Sequence, residues 1–280
     1  MSKGQGVIKI KMCMPYYNEP HPMTKESVAN VIGWAKESKE YDVKFTKYFG
    51  ALISNNRHNC ITTSSEIKQS LPKNTDYYLF IDNDVSFTGS DIVALIKHDK
   101  DIISGAYHRR GYPDTMVCGM WSTSPDKTVK KGIMKAETHL TSKDSGLKKV
   151  DWAGGGFLLV KKEALEKMAF PYFRHYIVSD GVQAMETSED IGFCINAEDS
   201  GLEIYADCDV KIGHHEAVTK GDTLGRIYFD DGKMELDTNF NIVPRNMIHG
   251  VSGLITEMQS RAMGMMSYYR QPVEKEARDG

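Results

Sequence analysis

The sequence has few of the features that mark disulfide-rich, membrane-spanning or strongly charged proteins. Its 280 residues include five cysteines, an odd number without a C-x-x-C pair, which argues against a disulfide framework and a zinc ribbon. No apolar run approaches the roughly 20 residues of a membrane helix, and no apolar leader follows Met1. The formal net charge of -3 indicates no nucleic-acid or acidic partner for the molecule as a whole. We therefore expect a soluble cytoplasmic protein, in the host cytoplasm if viral, with reduced thiols.

What is present is ordinary globular composition with a repeating pattern. Strand-like apolar runs alternate with helix-like segments, which predicts an α/β domain built on a mainly parallel sheet. The first strand is expected to stop at Pro15, and Thr24 to cap the first helix. Strands are expected at 7–14, 43–49, 77–81, 102–106, 157–160, 203–205 and 210–212, and helices at 24–39, 57–71, 90–97, 162–168 and 189–200.

Two regions depart from this alternation. Residues 109–149 have no sustained period and predict loops and short strands; within them, 127–149 holds seven lysines against two acidic residues. Beyond Glu216 the pattern weakens, and residues 245–269 predict an amphipathic C-terminal helix. We therefore expect a catalytic domain over 1–216, with the lysine-rich insert at about 109–149, and a helical C-terminal appendage over 217–280.

The most informative motif is the D-x-D motif Asp82-Asn83-Asp84, directly after the apolar strand expected at 77–81. A parallel strand ends at the ligand-binding edge of an open α/β sheet, so both carboxylates would face a crevice. Hard oxygen ligands suit Mg²⁺ or Mn²⁺, and such a cation can bridge to phosphate oxygens. A turn or helix cap after the strand explains the same residues equally well.

Two adjacent histidines follow the strand expected at 210–212. Imidazole accompanies carboxylate at Mn²⁺ sites, so a histidine here could complete a metal site begun by Asp84. Neighbouring side chains on an extended chain point to opposite sides, so His214 and His215 are not expected to bind one metal together. Gly213 allows close approach of the backbone and favours His214. A surface or core histidine is the commoner explanation of one such residue.

Three further features have both a functional and an ordinary explanation. Glu189 and Asp190 at a helix start could take a proton from an acceptor hydroxyl, or simply stabilise the helix dipole. The glycines at 154–156 allow a ligand such as a sugar to approach the backbone, although a tight turn would explain one of them. Arg109 and Arg110 suit a diphosphate but are also common as solvated side chains.

In this order and spacing, the motifs resemble the GT-A nucleotide-sugar glycosyltransferases, especially the inverting glycosyltransferase family 2 type of bacteria and viruses. The resemblance covers about residues 7–216. The motifs that carry it are Met14-Pro15-Tyr16-Tyr17-Asn18-Glu19, Arg57 within Asn55-Asn56-Arg57-His58-Asn59, Asp82-Asn83-Asp84, Gly154-Gly155-Gly156-Phe157, Glu189-Asp190 and His214.

The resemblance implies metal-dependent transfer of a sugar from a nucleotide-sugar, with UDP-sugar the expected donor, to an acceptor hydroxyl with inversion. It implies that the nucleotide-sugar is bound by Pro15, Tyr17, Glu19, Arg57, Asp82, Asn83, Arg109, Gly154, Gly155 and Gly156. It implies that Mn²⁺ or Mg²⁺ is bound by Asp84 and His214, with Asp82 contacting the ribose or the metal's water. The base would be Asp190, with Glu189 and Asp180 as alternatives.

The acceptor is left open by the sequence. A glycan, a protein- or lipid-linked saccharide, and a hydroxylated base in phage DNA are all compatible with the motifs, the last because clustered lysines attract phosphates. The alternative functions are a nucleotide-sugar-binding protein and a nucleic-acid-binding protein, each without turnover. The sequence does not indicate an oligomeric state.

Overall fold

The structure, a computed structural model, describes residues 6–17, 19–62, 71–110, 112–121, 138–179, 184–210, 212–216, 226–230, 233–238 and 241–242. The helix predicted at 245–269 and residues 127–137 of the lysine-rich stretch lie outside the described residues. The strands are β1 (Ile8–Tyr16), β2 (Tyr41–Phe49), β3 (Tyr77–Ile81), β4 (Val85–Ser86), β5 (Ile102–Gly105), β6 (His108–Arg109), β7 (Tyr112–Met120), β8 (Thr138–Thr141), β9 (Leu147–Val150), β10 (Trp152–Ala153), β11 (Phe157–Lys161), β12 (Ile177–Ser179), β13 (Ala184–Glu186), β14 (Ile204–Asp207), β15 (Gly213–Glu216), β16 (Arg226–Asp230), β17 (Lys233–Thr238) and β18 (Asn241–Ile242). The helices are α1 (Pro22–Ser38), α2 (Ile53–Ile61), α3 (Gly89–Lys97), α4 (Lys162–Lys167) and α5 (Glu189–Asp199).

A seven-stranded sheet forms the centre of the fold, in the order β2-β1-β3-β11-β5-β14-β9. Strands β1, β2, β3, β5 and β14 run in one direction, and β11 and β9 run against them. The segment β1-α1-β2 is a parallel β-α-β unit. The predicted α/β class with a mostly parallel central sheet is therefore confirmed.

Both faces of this sheet are buried, because alternate side chains of each central strand enter different core clusters. In β3, Leu79 and Ile81 pack on the face covered by α1 and α3, whereas Tyr78 and Phe80 pack on the face covered by α4 and α5. All four of these side chains are fully buried. A strand buried on both faces has the continuous apolar sequence found at 77–81.

Several boundaries differ from the predictions. Strand β1 continues through Pro15 to Tyr16. Beyond Cys13 it pairs with β2 but no longer with β3, so the N–H that proline lacks on the β3 side removes no hydrogen bond between strands. Helix α1 is capped by His21, whose Nδ1 accepts from the Met23 amide at 3.2 Å, and Thr24 lies buried within the first turn. Helix α2 begins at Ile53, four residues before the predicted start.

The insert and the tail are joined to the rest by β-pairing. Strand β9 of the insert pairs with β14 and forms an edge of the central sheet. The strand predicted at 210–212 is found at 213–216 as β15, and it pairs with β4 and β16 in a second sheet, ordered β18-β17-β16-β15-β4. The described part of the expected helical appendage is thus antiparallel strand, and the expected boundary at residue 216 falls between two paired strands.

Among the described helices, none combines the length and the apolar character needed to cross a membrane. All five cysteines are free thiols, and four of them are buried in the core.

Candidate functional site

The predicted site residues that the structure describes gather largely at the carboxyl edge of the parallel strands. Asp82-Asn83-Asp84 follows β3, and the Asp82 amide donates to the Gly156 carbonyl at 3.0 Å, just before the antiparallel strand β11 begins. The segment after β5 carries Tyr107 and Arg110 to the same edge, and the first turn of α5 brings Glu189. Segments distant in sequence therefore meet around the D-x-D turn.

A buried arginine joins three of these segments. The Arg57 side chain is 2% exposed, and its Nη2 lies 2.8 Å from Asp82 Oδ1 while its Nε lies 3.3 Å from Glu189 Oε1. Its Nη1 donates to the Gly155 carbonyl at 2.9 Å, and its guanidinium lies over the Phe173 ring at 5.4 Å. Arg57 therefore ties the end of β3, the glycine turn and the start of α5 to helix α2.

The charge on Arg57 is compensated by the acids around it. Burial lowers the pKa of Arg57, but the carboxylates of Asp82, Glu189 and Asp190 raise it by more, and the net direction is upward. Burial, followed by the charges of Asp82 and Asp190, raises the pKa of Tyr107 well above its ordinary value, so its phenol stays neutral. The acidic residues at this edge thus lie close enough to share one buried cation.

The three glycines make room for the protein's own side chains. A Cβ at Gly155 would lie 2.7 Å from Arg57 Cζ, and a Cβ at Gly156 would lie 2.3 Å from Tyr107 Oη. The Gly156 amide donates to that same Tyr107 oxygen at 3.0 Å, and a Cβ at Gly154 would lie 2.5 Å from Val117 Cγ1. The expected reason for the glycines was approach of a ligand, whereas the close approaches found are internal.

Asp84 and His214 meet at the other side of the D-x-D turn. Asp84 Oδ1 lies 3.6 Å from His214 Nε2, and the pairing of β15 with β4 aligns His214 with Val85. The Nδ1–H of His214 donates to the His108 carbonyl at 2.9 Å. A carbonyl can only accept, so in the neutral imidazole Nε2 carries the lone pair, and this atom faces Asp84. Hydrogen bonding of the second ring nitrogen to a carbonyl is the usual arrangement in a metal-binding histidine.

The Asp84 carboxylate is held in an environment that disfavours its charge. Burial, with the Asp82 carboxylate as the next cause, raises the pKa of Asp84, although His214 and Arg110 oppose the shift. Its Oδ1 is buried and accepts no hydrogen bond from any residue that the structure describes. Its Oδ2 lies 3.2 Å from Arg110 Nη2.

Arg110, which the sequence offered together with Arg109 for a diphosphate but the resemblance did not assign, lies at this site. Besides its contact with Asp84, its Nε donates to His214 Nε2 at 3.2 Å. Arg109, which the resemblance places at the nucleotide-sugar, is exposed and lies over the Tyr112 ring at 5.0 Å. Alternation along an extended chain was the available signal, because only one of two adjacent arginines can face the D-x-D turn.

Asp84 and His214 are suitable ligands for a divalent cation. A carboxylate with an unpaired buried oxygen and an imidazole nitrogen with a lone pair are donors that Mn²⁺ and Mg²⁺ accept. Within the described ranges, no group of three His, Cys, Asp or Glu residues could hold a metal ion. Two protein ligands suit a cation that is also held by substrate phosphates and water. Asp82, the third expected ligand, has one oxygen bound to Arg57.

The two acids at the start of α5 differ in their contacts. Glu189 is paired with Arg57 and its side chain is 17% exposed. Asp190 Oδ1 accepts from the Ser188 hydroxyl and from the Ile191 amide, the latter at 2.8 Å, and no described residue donates to its Oδ2. Asp180, the other expected base, lies outside the described residues.

The residues expected to line the nucleoside lie at the end of β1 and directly after it. Pro15 is buried, Tyr17 is 60% exposed, and Asn18 lies outside the described residues. The exposed Glu19 pairs with Lys25 of helix α1 and is not joined to the Arg57 cluster. Motif reading missed the neighbouring Phe49, which is 66% exposed; its ring centroid lies 5.4 Å from that of Tyr16.

The two adjacent histidines point to opposite sides, as their extended conformation predicts. His214 faces Asp84, whereas the His215 ring stacks on His21 with centroids 4.6 Å apart. Burial, followed by the influence of His21 and His214, lowers the pKa of His215 to about 4. The backbone of His21 donates to the Asn83 carbonyl and that of His215 to the Asp84 carbonyl, so this stacked pair supports the D-x-D turn.

Comparisons with known proteins leave the family open. No family model and no curated protein matches the sequence. Solved structures similar to the fold include the crystal structure of A197 from STIV, with 16% identity and a TM-score of 0.46 over 85% of this chain and 97% of that one. At these values, the likeness supports no statement about activity.

Proposed function

We propose that the chain is a metal-dependent glycosyltransferase of the GT-A type, which transfers a sugar from a nucleotide-sugar to an acceptor hydroxyl. The observation that supports it most is the meeting of Asp84 and His214, which are 130 positions apart in sequence. Both present acceptor atoms to one point beside the D-x-D turn.

In this proposal, Asp84 Oδ1 and His214 Nε2 hold Mn²⁺ or Mg²⁺ together with the donor's diphosphate. The cation would stabilise the negative charge that accumulates on the leaving nucleoside diphosphate. Arg57 is a positioning residue, because its buried guanidinium fixes Asp82 and Glu189 while it contacts no open surface. Asp82, one-third exposed, is left to contact the ribose or the water on the cation.

Asp190 is the acid best placed to act as base. Its Oδ1 is engaged by Ser188 and Ile191, which fixes the carboxylate, and its Oδ2 can accept the proton of an acceptor hydroxyl. Glu189 is less suited because its Oε1 is paired with Arg57. Attack by a hydroxyl deprotonated in this way, opposite the leaving diphosphate, would invert the anomeric centre.

The donor is proposed to be a UDP-sugar, with the exposed Tyr17 and Phe49 near the base. The acceptor is proposed to be a glycan or a hydroxylated base in phage DNA. Duplex DNA binding that weakens steeply with salt would support the second acceptor, since each neutralised phosphate releases a counterion. Absent or salt-insensitive binding would remove it.

The proposal is tested by thermal-shift and donor-hydrolysis measurements over a panel of nucleotide-sugars, with and without Mn²⁺. Asp84→Asn and His214→Ala should lose the Mn²⁺-dependent part of nucleoside diphosphate binding. The matched control is Asp99→Asn, which changes an 83% exposed carboxylate paired with Lys161, a residue that lies opposite the start of β3 and not its end. If no nucleoside diphosphate stabilises the wild type in Mn²⁺, the proposal is wrong.

The catalytic step has its own test. Asp190→Asn should retain nucleotide binding while transfer falls by about 10²–10⁴-fold, the usual contribution of a general base. Glu189→Gln, which keeps the shape of the Arg57 partner, provides the comparison. Full transfer activity in Asp190→Asn would exclude this role.

A further inference from the structure

We propose that Arg110 occupies the cation position of the Asp84–His214 pair when no metal is bound, and that a divalent cation and Arg110 exchange there. This inference rests on the proposed function only for the identity of the substrate that accompanies the metal. It assigns to Arg110 a role that neither the D-x-D motif nor the histidine predicts.

The contacts place the guanidinium between the two ligands. Arg110 Nη2 lies 3.2 Å from Asp84 Oδ2, and Arg110 Nε donates to His214 Nε2 at 3.2 Å. Asp84 Oδ1 and His214 Nε2 are themselves 3.6 Å apart. With the neutral imidazole, both of these atoms are acceptors, and the guanidinium of Arg110 offsets the repulsion between them.

Arg110 and a metal cannot use His214 at the same time. A neutral imidazole has one ring-nitrogen lone pair in its plane, and the Nδ1 of His214 is committed as a donor to the His108 carbonyl. The single lone pair on Nε2 accepts the hydrogen bond from Arg110. A metal bound through Nε2 needs that same lone pair, so the arginine must leave before the metal binds.

The position of Arg110 allows it to leave. Its side chain is 50% exposed and follows the short strand β6, so its guanidinium can be rehydrated as it moves away. The form in which Arg110 contacts Asp84 and His214 cannot bind the metal. The larger the population of this form, the lower the apparent metal affinity. A nucleoside diphosphate that supplies further oxygen ligands would favour the metal-bound form, which couples metal binding to the arrival of substrate.

The test is a Mn²⁺ titration of the full chain without nucleotide, in which free Mn²⁺ is followed by its electron paramagnetic resonance signal. Arg110→Ala removes the competing cation and should tighten Mn²⁺ binding by roughly tenfold, the scale of a charge-assisted hydrogen bond. The Mn²⁺ affinity of Arg110→Lys should lie between those of the wild type and Arg110→Ala. An ammonium keeps the positive charge but cannot donate to both acceptors as a guanidinium does. Arg109→Ala is the matched control, since it removes a neighbouring positive charge that does not contact Asp84 or His214.

Each outcome is decisive. Tighter binding in Arg110→Ala with unchanged binding in Arg109→Ala supports the exchange. Three results would overturn it. These are equal Mn²⁺ affinities in the wild type and Arg110→Ala, equal gains in Mn²⁺ affinity in Arg110→Ala and Arg109→Ala, and no Mn²⁺ binding by either the wild type or Arg110→Ala.

The outcomes also separate this inference from the proposed function. If the exchange is observed but no nucleoside diphosphate binds, the glycosyltransferase proposal fails and the exchange stands. If nucleoside diphosphate binds with Mn²⁺ while Arg110→Ala leaves Mn²⁺ affinity unchanged, only the exchange fails.

Discussion

Two arginines lie on either side of the D-x-D turn, and they differ mainly in burial. Arg57 is 2% exposed and joins three acceptors, whereas Arg110 is 50% exposed and joins two; in both cases the acceptors come from distant parts of the chain. Release of Arg57 would leave Asp82 and Glu189 without the buried cation that compensates their charges. Release of Arg110 exposes a carboxylate and an imidazole to a surface that water and ions can reach. A buried bridge therefore stabilises the fold, whereas an exposed one can be exchanged.

The surroundings of the two arginines follow the same division. Beside Arg57, the His58 ring accepts from the Phe173 amide at 3.0 Å, and Gly155 leaves space for the guanidinium. Beside Arg110, the Asp84 carboxylate keeps one buried oxygen without a hydrogen bond from the described residues. A buried polar atom without a partner needs an explanation, so we expect metal binding on the Arg110 side, whereas Arg57 itself contributes stability.

The largest effect is expected from removing the two arginines in turn. Arg57→Met should lower the free energy of unfolding by about 3 kcal/mol, because it leaves two carboxylates beside a buried apolar side chain. Arg110→Met should change it by less than about 1 kcal/mol, since its ion pair is half-exposed. Urea unfolding of both variants measures the difference. Equal losses would mean that burial does not separate the two arginines.

His58, next to Arg57 in the sequence, tests whether burial around Arg57 disfavours a second positive charge. Burial lowers the pKa of His58 to about 4, so its folded pKa lies below its unfolded value of about 6.5. As the pH falls through this window, the unfolded state takes up the proton first and the protein loses stability. His58→Gln keeps an acceptor for the Phe173 amide and should reduce this loss by about 2 kcal/mol.

The measurement is urea unfolding between pH 7 and pH 4. His215, whose pKa is also lowered to about 4, contributes equally in both proteins and does not affect the comparison. The same pH dependence in His58→Gln as in wild type would show that His58 is not the group responsible.

The glycine turn gives a smaller and more local effect. Gly155→Ala would place a Cβ 2.7 Å from Arg57 Cζ, and the guanidinium has no open space in which to move. We expect a loss of about 1–2 kcal/mol, typical of overpacking. The control is Gly33→Ala on the exposed face of α1, where a Cβ meets nothing within 4 Å and should raise stability by about 0.5–1 kcal/mol. Thermal unfolding of the two variants should give shifts of opposite sign.

The sequence predicted the elements whose cause is local. Strand β3 was predicted with its exact bounds, because a run buried on both faces is apolar throughout and ends at the acidic turn. The opposite orientation of His214 and His215 follows from the geometry of any extended chain. These features depend on a few consecutive residues.

What the sequence could not show depends on long-range contacts. No sequence pattern links Arg57 to Glu189, which is 132 positions away. The burial and the partners of Arg57 could therefore not be predicted from the stretch at 55–59. The lysine-bearing strand β9 lies in the region predicted as loops and short strands because no period is sustained there, and its pairing with β14, which makes it an edge of the central sheet, could not be predicted. The glycine run showed that something approaches closely, but not that Arg57 and Tyr107 do.

The smallest effect is expected at Asp84, on the exposed side of the D-x-D turn beside Arg110. Here a residue proposed to bind metal should lower the stability of the fold. Burial raises the pKa of Asp84, so the folded protein binds this proton more tightly than the unfolded chain, and stability falls as the pH rises above the unfolded value of about 3.9. Asp84→Asn removes this loss, and its amide can donate to His214 Nε2. We expect a gain of about 0.5–1 kcal/mol near neutral pH that disappears in acid, together with loss of Mn²⁺ binding.

Asp82→Asn is the contrasting variant for this measurement. Its carboxylate is the partner of the buried Arg57, so its replacement should lower stability at neutral pH while Asp84→Asn raises it. Urea unfolding at pH 4 and pH 7 compares the two. If Asp84→Asn is also destabilising at neutral pH, Arg110 and His214 compensate the Asp84 charge fully. The open side would then be as well satisfied as the closed one, and the distinction between the two arginines would rest on solvent access alone.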